Sequence, residues 1–260
     1  MVELLTRAEA GVRVVPLHGT SQLLAADRLL RRIWNIRTGD DPPLAVDIMC
    51  ALVHTGGYVG GAYLGDELIG VAAGFLAEGD SLHSHVAGVA AEAQGRGIGK
   101  AIKAHQREWA AERGLKSISW TFDPLVRRNA FFNLAKLGAR AERYLPDFYG
   151  PLTDGINDGD VSDRLLAHWP VEPAPVPEAA GPAEGAVVIL DEFGAGHEPL
   201  GAAVLHCATP ADIERLRREQ PEEATRWRAA QRAALTGALD EGYRITAFTK
   251  DGWYVLESAA

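Results

Sequence analysis

The sequence predicts a mixed α/β (α+β) fold: a mostly antiparallel sheet flanked by helices, with a small C-terminal α/β extension. Three observations carry that expectation. Three strand-like runs, Tyr58–Leu64, Leu68–Leu76 and Ser81–Val89, follow one another across short turns, as in an antiparallel meander. A glycine-rich turn, Gln94 to Gly99, then opens a strongly amphipathic helix. Finally, a stretch rich in Pro, Ala, Glu and Gly between Pro170 and Gly185 sets a shorter group of strand and helix patterns apart from the rest.

Taken in order, valine-rich Gly11 to Leu17 reads as a first strand, and Thr20 offers a hydroxyl to cap a helix carrying Leu23, Leu24, Leu29 and Leu30. The Gly39 to Pro43 segment breaks it. A second helix through Leu44, Ile48, Met49 and Leu52 stops at Gly56–Gly57. Within the meander, Gly65–Asp66 supplies a hairpin turn. The helix from Gly97 to Arg113 has Ile98, Ile102, His105 and Trp109 on one stripe, with Lys100, Lys103, Arg107, Glu108 and Glu112 elsewhere. Ser117–Phe122 reads as a strand, and Asp123–Pro124 as the start of a helix running to Gly138. Strands Ala139–Leu145 and Asp163–Pro170 follow, on either side of an unassigned loop from Tyr149 to Asp160.

In the extension, Ala186–Leu190 and Ala202–Cys207 read as strands, and Thr209–Pro210 as a helix start. Pro221 restarts that helix and Gly242 ends it; Tyr243–Thr249 and Trp253–Leu256 form a hairpin around Lys250–Asp251–Gly252. The expected organisation is a domain over 1–171, a linker over 172–185 and a subdomain over 186–260.

Bulk properties narrow the function. At 260 residues, 47% hydrophobic and 23% charged, the chain is an ordinary globular one that holds a sizeable core. A formal charge of -9 opposes docking on a phosphate backbone, so nucleic acid is not an expected partner. Cys50 and Cys207 lack CxxC spacing, which suggests neither a disulfide framework nor a thiolate metal cage and fits a reducing cytoplasm. Glu3, Arg7 and Glu9 interrupt any leader pattern, so the mature chain is expected to start near Met1. No segment reaches the ~20 apolar residues of a membrane span, and no membrane partner is expected.

Unpaired backbone N–H groups at a helix start sit at the positive end of the helix dipole, so a glycine turn there grips phosphate. By itself, such a turn is also an ordinary strand-to-helix connection. Gln94–Gly95–Arg96–Gly97–Ile98–Gly99 reads GxGxG, one residue short of the dinucleotide fingerprint GxGxxG, and a Walker loop would need glycine at Gln94 and Ser or Thr at Ala101. The residues match Q/R-x-x-G-x-G/A instead. In this motif, in Val89 five residues before it and in the order of elements, the region from about Gly11 to Val171 resembles the GNAT superfamily of acyl-CoA-dependent N-acyltransferases. The runs DPLVRRNAFFNLAKLGA, FYG, TDGIND, SDRLLAHW and GYRITAF resemble more specifically a set of predicted bacterial GNAT acetyltransferases of unassigned substrate.

The resemblance implies a GNAT-like fold with acetyl-CoA, or another acyl-CoA, as co-substrate and no metal. It implies that the amides around Gln94, Gly95, Arg96, Gly97, Ile98, Gly99 and Lys100 hold the CoA pyrophosphate, with charge added by Arg96. The strand near Ala87 to Val89 would pair with the pantetheine arm, and Asn129 and Asn133, on a helix lining the groove, would bond pantetheine or phosphates.

Acylation of an amine needs a base, donors for an oxyanion and a proton for the departing thiolate. His83 and His85 project from one face of a strand and titrate near neutrality. Their HxH segment is similar to the paired-histidine segment of serotonin N-acetyltransferase, another GNAT member, which makes His85, then His83, the general-base candidates. Hydrogen-bonded core residues and a zinc pair without a third ligand are the alternatives. Leu134 stands where the family carries its acidic tyrosine, leaving Tyr149, Tyr144 or water for that step, with Tyr149 the residue chosen. Trp34, Phe131 and Phe132 line either a substrate pocket or the core.

The function expected is an acetyl-CoA-dependent N-acetyltransferase acting by direct transfer in a ternary complex. The acceptor is a small-molecule amine or an N-terminal or lysine amine. A non-catalytic acyl-CoA-binding module on the same fold is the alternative, and the tail reads as a partner-binding or homodimer-forming element.

Overall fold

The computed structural model describes residues 11–37, 39–150, 160–173, 185–196 and 202–258. The opening residues through Glu9, the TDGIND run with most of its loop, and most of the expected linker lie outside them. Compactness divides the chain into two units, one of residues up to Trp120 with Pro170–Glu172, the other of Thr121–Trp169 with the residues from Pro173 onward.

The first unit holds strand β1 (Val12–Pro16), helices α1 (Thr20–Ile33) and α2 (Val46–His54), and strands β2 (Tyr58–Leu64), β3 (Glu67–Ala77) and β4 (Ser81–Val89). Helix α3 (Ile98–Glu112) follows, then the beginning of β5 (Ser117–Phe122). Its strands lie in the order β1-β2-β3-β4-β5, antiparallel except for the parallel β4–β5 pair. Glycines let helices lie close on this sheet. A Cβ on Gly88 would come within 2.5 Å of the Trp34 ring at the end of α1, and one on Gly70 within 2.8 Å of Ile102 on α3. Gly70 pairs with Val89, the neighbour of Gly88, so α1 and α3 cover opposite faces.

Helix α1 is not capped by Thr20, which is its first helical residue. Gly19 takes the cap position in an extended conformation, and Gln22 Oε1 reaches back to accept from the backbone N–H groups of His18 (3.1 Å) and Gly19 (3.0 Å).

The second unit holds helix α4 (Arg127–Ala130), continued by a π-helical turn (Phe131–Lys136), strands β6 (Arg140–Leu145) and β7 (Arg164–Pro170, to Trp169), and the extension. The extension contributes β8 (Val187–Leu190), β9 (Val204–Ala208), α5 (Ile213–Glu219), α6 (Pro221–Asp240), β10 (Tyr243–Phe248) and β11 (Trp253–Ser258). Strand order here is β7-β6-β10-β11-β9-β8, with β10 joined to β6 at Ile245 and Ala141 and only β8–β9 parallel. In both units the observed architecture is the mixed, mostly antiparallel sheet with flanking helices that the sequence predicts.

Two further helix starts differ from the sequence reading. Asp123 Oδ1 accepts the N–H of Leu125 at 2.9 Å, a turn that postpones α4 to Arg127. The helix expected at Thr209–Pro210 begins at Ile213, where Asp212 caps it by accepting from Arg215 N at 2.9 Å. Thr209 is used otherwise: its hydroxyl donates to Gly252 O at 2.7 Å and accepts from Arg127 Nε at 3.1 Å. Gly252 has φ of +95°, and a Cβ there would lie 2.1 Å from Arg127 Nε, so this contact demands glycine.

Candidate active site

The site grows from a defect in β4. Its register against β3 runs Ala73–Val86 and then Gly74–Ser84, leaving His85 as the extra residue of a bulge. A bulge resets which face each side chain takes. Ser84 points to α3, where its hydroxyl meets Lys103 and Gln106, whereas Gly88, four residues on, faces α1. On its other edge β4 pairs with β5 over three rungs, Ser81–Ser117, Leu82–Ile118 and His83–Ser119. Within the first unit β4 runs on to Val89 and β5 to Trp120, so among the described residues this unit contains a fork whose last paired rung is His83–Ser119.

His83 and His85 lie on the face opposite Ser84. His83 Nδ1 is 3.1 Å from Ser119 Oγ, across the last rung. His85 packs edge-on against the half-exposed ring of Phe75, with centroids 5.5 Å apart, and bonds the Pro43 carbonyl. Burial lowers the proton affinity of both. For His83, the neighbouring His85 and Lys103 lower it further; for His85, the Pro43 bond opposes the shift. Both are thus in the neutral, proton-accepting form at pH 7.

Beyond Val89, a short 3₁₀ turn, Ala91–Ala93, leads into the glycine turn. Gln94 Nε2 donates to Val89 O at 3.3 Å, tying the turn to the end of β4. Gly95 and Gly97 have φ of 78° and 79°, left-handed conformations that disfavour side chains, and Gly97 is the N-cap of α3. A Cβ on Gly95 would meet nothing within 4 Å, so the turn is open on that side. Ile98 is buried and anchors the turn; Arg96, Gly99 and Lys100 are partly exposed and Ala87 is exposed, while Val89 is half-buried. The first unit therefore brings together His83, His85, Ala87, Val89 and the whole stretch from Gln94 to Lys100.

Sequence reasoning missed a further group at the fork. Lys103, expected away from the apolar stripe of α3, is only 5% exposed. Its Nζ donates to Ser84 Oγ at 3.0 Å and stands 3.7 Å from the centroid of the Trp120 ring. Gln106 Nε2 also lies 3.0 Å from the same hydroxyl. Burial pushes the Lys103 pKa down to about 7. The signal was present in the sequence as the i, i+3, i+7 series Lys103, Gln106, Ala110, which widens the buried face beyond its apolar residues.

The remaining predicted residues belong to the second unit. Tyr149 is 38% exposed, its hydroxyl 3.1 Å from Thr121 Oγ1 and its N–H donating to Ser162 Oγ at 2.8 Å. Tyr144 is buried and donates to Asp163 Oδ2 at 2.6 Å; burial and then this carboxylate push its pKa up. Asn129 is exposed and Asn133 buried, because the π-helical turn between them spoils the stacking of an α-helical i, i+4 pair. Leu134 and the adjacent turn are core, and Phe131 and Phe132 are half-buried there. Asp123 is fully enclosed, with Arg228 Nη1 and Nη2 each at 2.8 Å and Arg217 beside it. Its burial alone would raise its pKa, but these two guanidiniums hold it well below the usual carboxylate range. Among the described residues no group of three or more His, Cys, Asp or Glu is placed to hold a metal ion, and no helix is long and apolar enough to cross a membrane.

Residues 25–138 match the model of the acetyltransferase (GNAT) family. Over that stretch, rather less than half of its length, the chain is similar to that family. Solved structures of similar fold include the ribosomal-protein-S18-alanine N-acetyltransferase of Escherichia coli, at 17% identity over 63% of this chain and 96% of that one, with a TM-score of 0.50. An N-acetyltransferase of Staphylococcus aureus Mu50 is 12% identical over 63% of this chain and 100% of that one, with a TM-score of 0.51. No curated protein matches the sequence significantly. The matched residues contain the β4–β5 fork, the glycine turn and both histidines.

Proposed function

We propose that the protein is an N-acetyltransferase that moves an acetyl group from acetyl-CoA to an amine by direct transfer in a ternary complex. The observation that carries this reading is the juxtaposition, within one unit, of an open glycine turn at the α3 N-terminus and a strand fork lined by two neutral histidines. A turn with two left-handed glycines, open beside Gly95, suits the close approach of a pyrophosphate to backbone N–H groups. Gln94 through Lys100 would hold that group, the backbone of Ala87 to Val89 would meet the pantetheine arm, and Asn129, being exposed, suits a polar contact better than Asn133.

His85 takes a proton from the acceptor ammonium, with His83 as its alternate, and the free amine then attacks the thioester carbon. Tyr149, whose hydroxyl is at the surface, is the proposed proton donor to the leaving thiolate. The acceptor is a small-molecule amine or an N-terminal or lysine amine, in a cytoplasmic setting consistent with the free thiols of Cys50 and Cys207. We assign the transfer to residues 1–171 and treat 186–260 as an accessory or dimerising extension.

Calorimetric titration with acetyl-CoA tests the reading first, and thiol release in the presence of a panel of primary amines tests it next. Absence of acetyl-CoA binding by folded protein would refute it. Buried Leu134, in the place of the family's acidic tyrosine, favours one other reading, an acyl-CoA-binding module without turnover. Binding without thiol release across the panel would select that one.

A further inference from the structure

We propose that Lys103 is a positioning residue of the acyl-transfer site, a buried cation that fixes Ser84 at the first open rung of the β4–β5 fork and stabilises negative charge developing there. This inference rests on the acetyltransferase reading above.

The placement is specific. His83–Ser119 is the last paired rung of the fork, and Ser84 and Trp120 are the next residue on each strand. Lys103 Nζ touches both, donating to the hydroxyl of one and lying over the ring of the other. It therefore bridges the two strands from the α3 side, where they part. Charged, the lysine donates to Ser84 Oγ; neutral, it can accept the serine proton instead, so the hydrogen bond persists in both states.

Energetics argue against a purely structural role. Among the described residues Lys103 has no carboxylate partner, and its surroundings are Ser84 and neighbouring His83 on β4, Gln106 on its own helix and Trp120 on β5. The face of a tryptophan compensates an ammonium only partly. Methionine or leucine would fill the same space without burying a charge. A cation kept at such a cost, at the one point where a substrate-binding fork opens, fits electrostatic work on the substrate.

The chemistry it would serve balances as follows. The amine nitrogen forms the new C–N bond with its lone pair, the carbonyl pair moves onto oxygen and returns, and the C–S pair leaves on sulfur. His85 has taken the proton of the ammonium, and the thiolate gains one from Tyr149 or water. Negative charge thus appears first on the oxygen and then on the sulfur. In its protonated form Lys103 favours both. The proton affinity of His83, lowered by burial and by neighbouring His85, is lowered further by the same charge.

The deciding experiment uses the full chain and CoA itself, and needs no acceptor. The thiol of bound CoA is titrated by thiolate absorbance, with the desulfo-CoA complex as background, in the wild type and in K103M. At pH 6, where Lys103 is charged, the thiolate fraction of bound CoA is expected to be roughly tenfold higher on the wild type than on K103M, the difference closing above pH 7 as the amine loses its proton, with CoA affinity changed by no more than about threefold. Identical thiol titrations overturn the inference. Should K103M not fold, S84A, which keeps the amine but removes its anchor, takes its place: a thiolate fraction at pH 6 roughly threefold below the wild type is expected there, and a wild-type titration overturns the proposal. Failure of CoA to bind the wild type would be seen before any variant is compared, and it would remove the acetyltransferase reading rather than the role of Lys103 within it.

Discussion

Replacing Lys103 by methionine should change how stability depends on pH, and the size of the effect follows from the burial of the amine. Its pKa falls from 10.5, the value it keeps in the unfolded chain, to about 7 in the fold. That difference corresponds to a penalty on the order of 5 kcal/mol at a pH well below 7, where the folded protein must carry the charge. The sign follows from proton counting. Between about 7 and 10.5 the folded state binds fewer protons than the unfolded one, so the contribution of Lys103 to stability rises with pH across that window. The slope approaches ~1.4 kcal/mol per pH unit, and the penalty shrinks by about 3 kcal/mol from pH 6 to pH 9. K103M lacks this dependence. Urea unfolding of both proteins at pH 6, 7, 8 and 9 gives the difference directly, and other titrating groups cancel in it, save His83, whose coupling to Lys103 acts near the low end. Wild type should gain on K103M steadily with pH. A stability difference that stays constant across the series would show that the amine is neither desolvated nor titrating, and the premise of the inference would fall with it.

Three other perturbations probe the site and its support. His85→Gln should lower kcat about a hundredfold at neutral pH and abolish the acid limb of the pH–rate profile, which lies below the ordinary histidine range because burial favours the neutral ring; an unchanged profile removes His85 from the mechanism. Gly97→Ala forces a side chain into φ of 79°, at about 1–2 kcal/mol, and should raise the acetyl-CoA Kd at least about tenfold by calorimetry, whereas Gly65→Ala, at a hairpin turn with φ of 59°, should leave it alone. Equal effects of the two would mean that the turn has no special part in binding. Asp123→Ala leaves the buried Arg217 and Arg228 with Asp160 as the one carboxylate they still share and should destabilise the protein by about 2–4 kcal/mol in denaturant unfolding. Because the pKa of Asp123 is depressed, its contribution is present above the ordinary carboxylate range and disappears as pH falls through the folded value, so the variant should also flatten the acid side of the stability curve. A loss below about 1 kcal/mol would reduce this cluster to a surface-like ion pair.

Local signals made most of the fold legible. The meander is visible because alternation and Gly65–Asp66 act within a few residues, and Pro221 and Gly242 mark the last helix through backbone chemistry alone. The glycine turn is legible for the same reason, since positive φ at Gly95 and Gly97 is a property of the residues themselves. What escaped depends on partners distant in sequence. Asp123 looks like a helix cap until Arg217 and Arg228, roughly a hundred positions later, enclose it. Thr209 looks like another until Arg127 and Gly252 claim its hydroxyl. Lys103 looks like a solvated lysine until Ser84 and Trp120 close over it. In each case a polar residue is read by its neighbours in sequence as exposed, and only tertiary burial reassigns it.

The bulge at His85 is the least legible feature and the one with the largest consequence. HxH spacing says that His83 and His85 share a face, and they do, but it says nothing of where Ser84 or Gly88 point relative to the helices. An uninterrupted strand would send both of those residues to the same side. The extra residue sends Ser84 to α3 and Gly88 to α1, so a single strand presents a histidine pair on one face and a lysine-anchored serine on the other at the rung where β4 and β5 part. Proton removal from an amine and stabilisation of a departing thiolate call for opposite charges, and a base adjoining a lysine would lose its proton affinity if the two shared a pocket. Burial first, then His85 and Lys103, lower the proton affinity of His83, whereas that of His85 is lowered by burial and opposed by its bond to the Pro43 carbonyl. The insertion of one residue thus puts the proposed base and the lysine-anchored serine on the two faces of one strand.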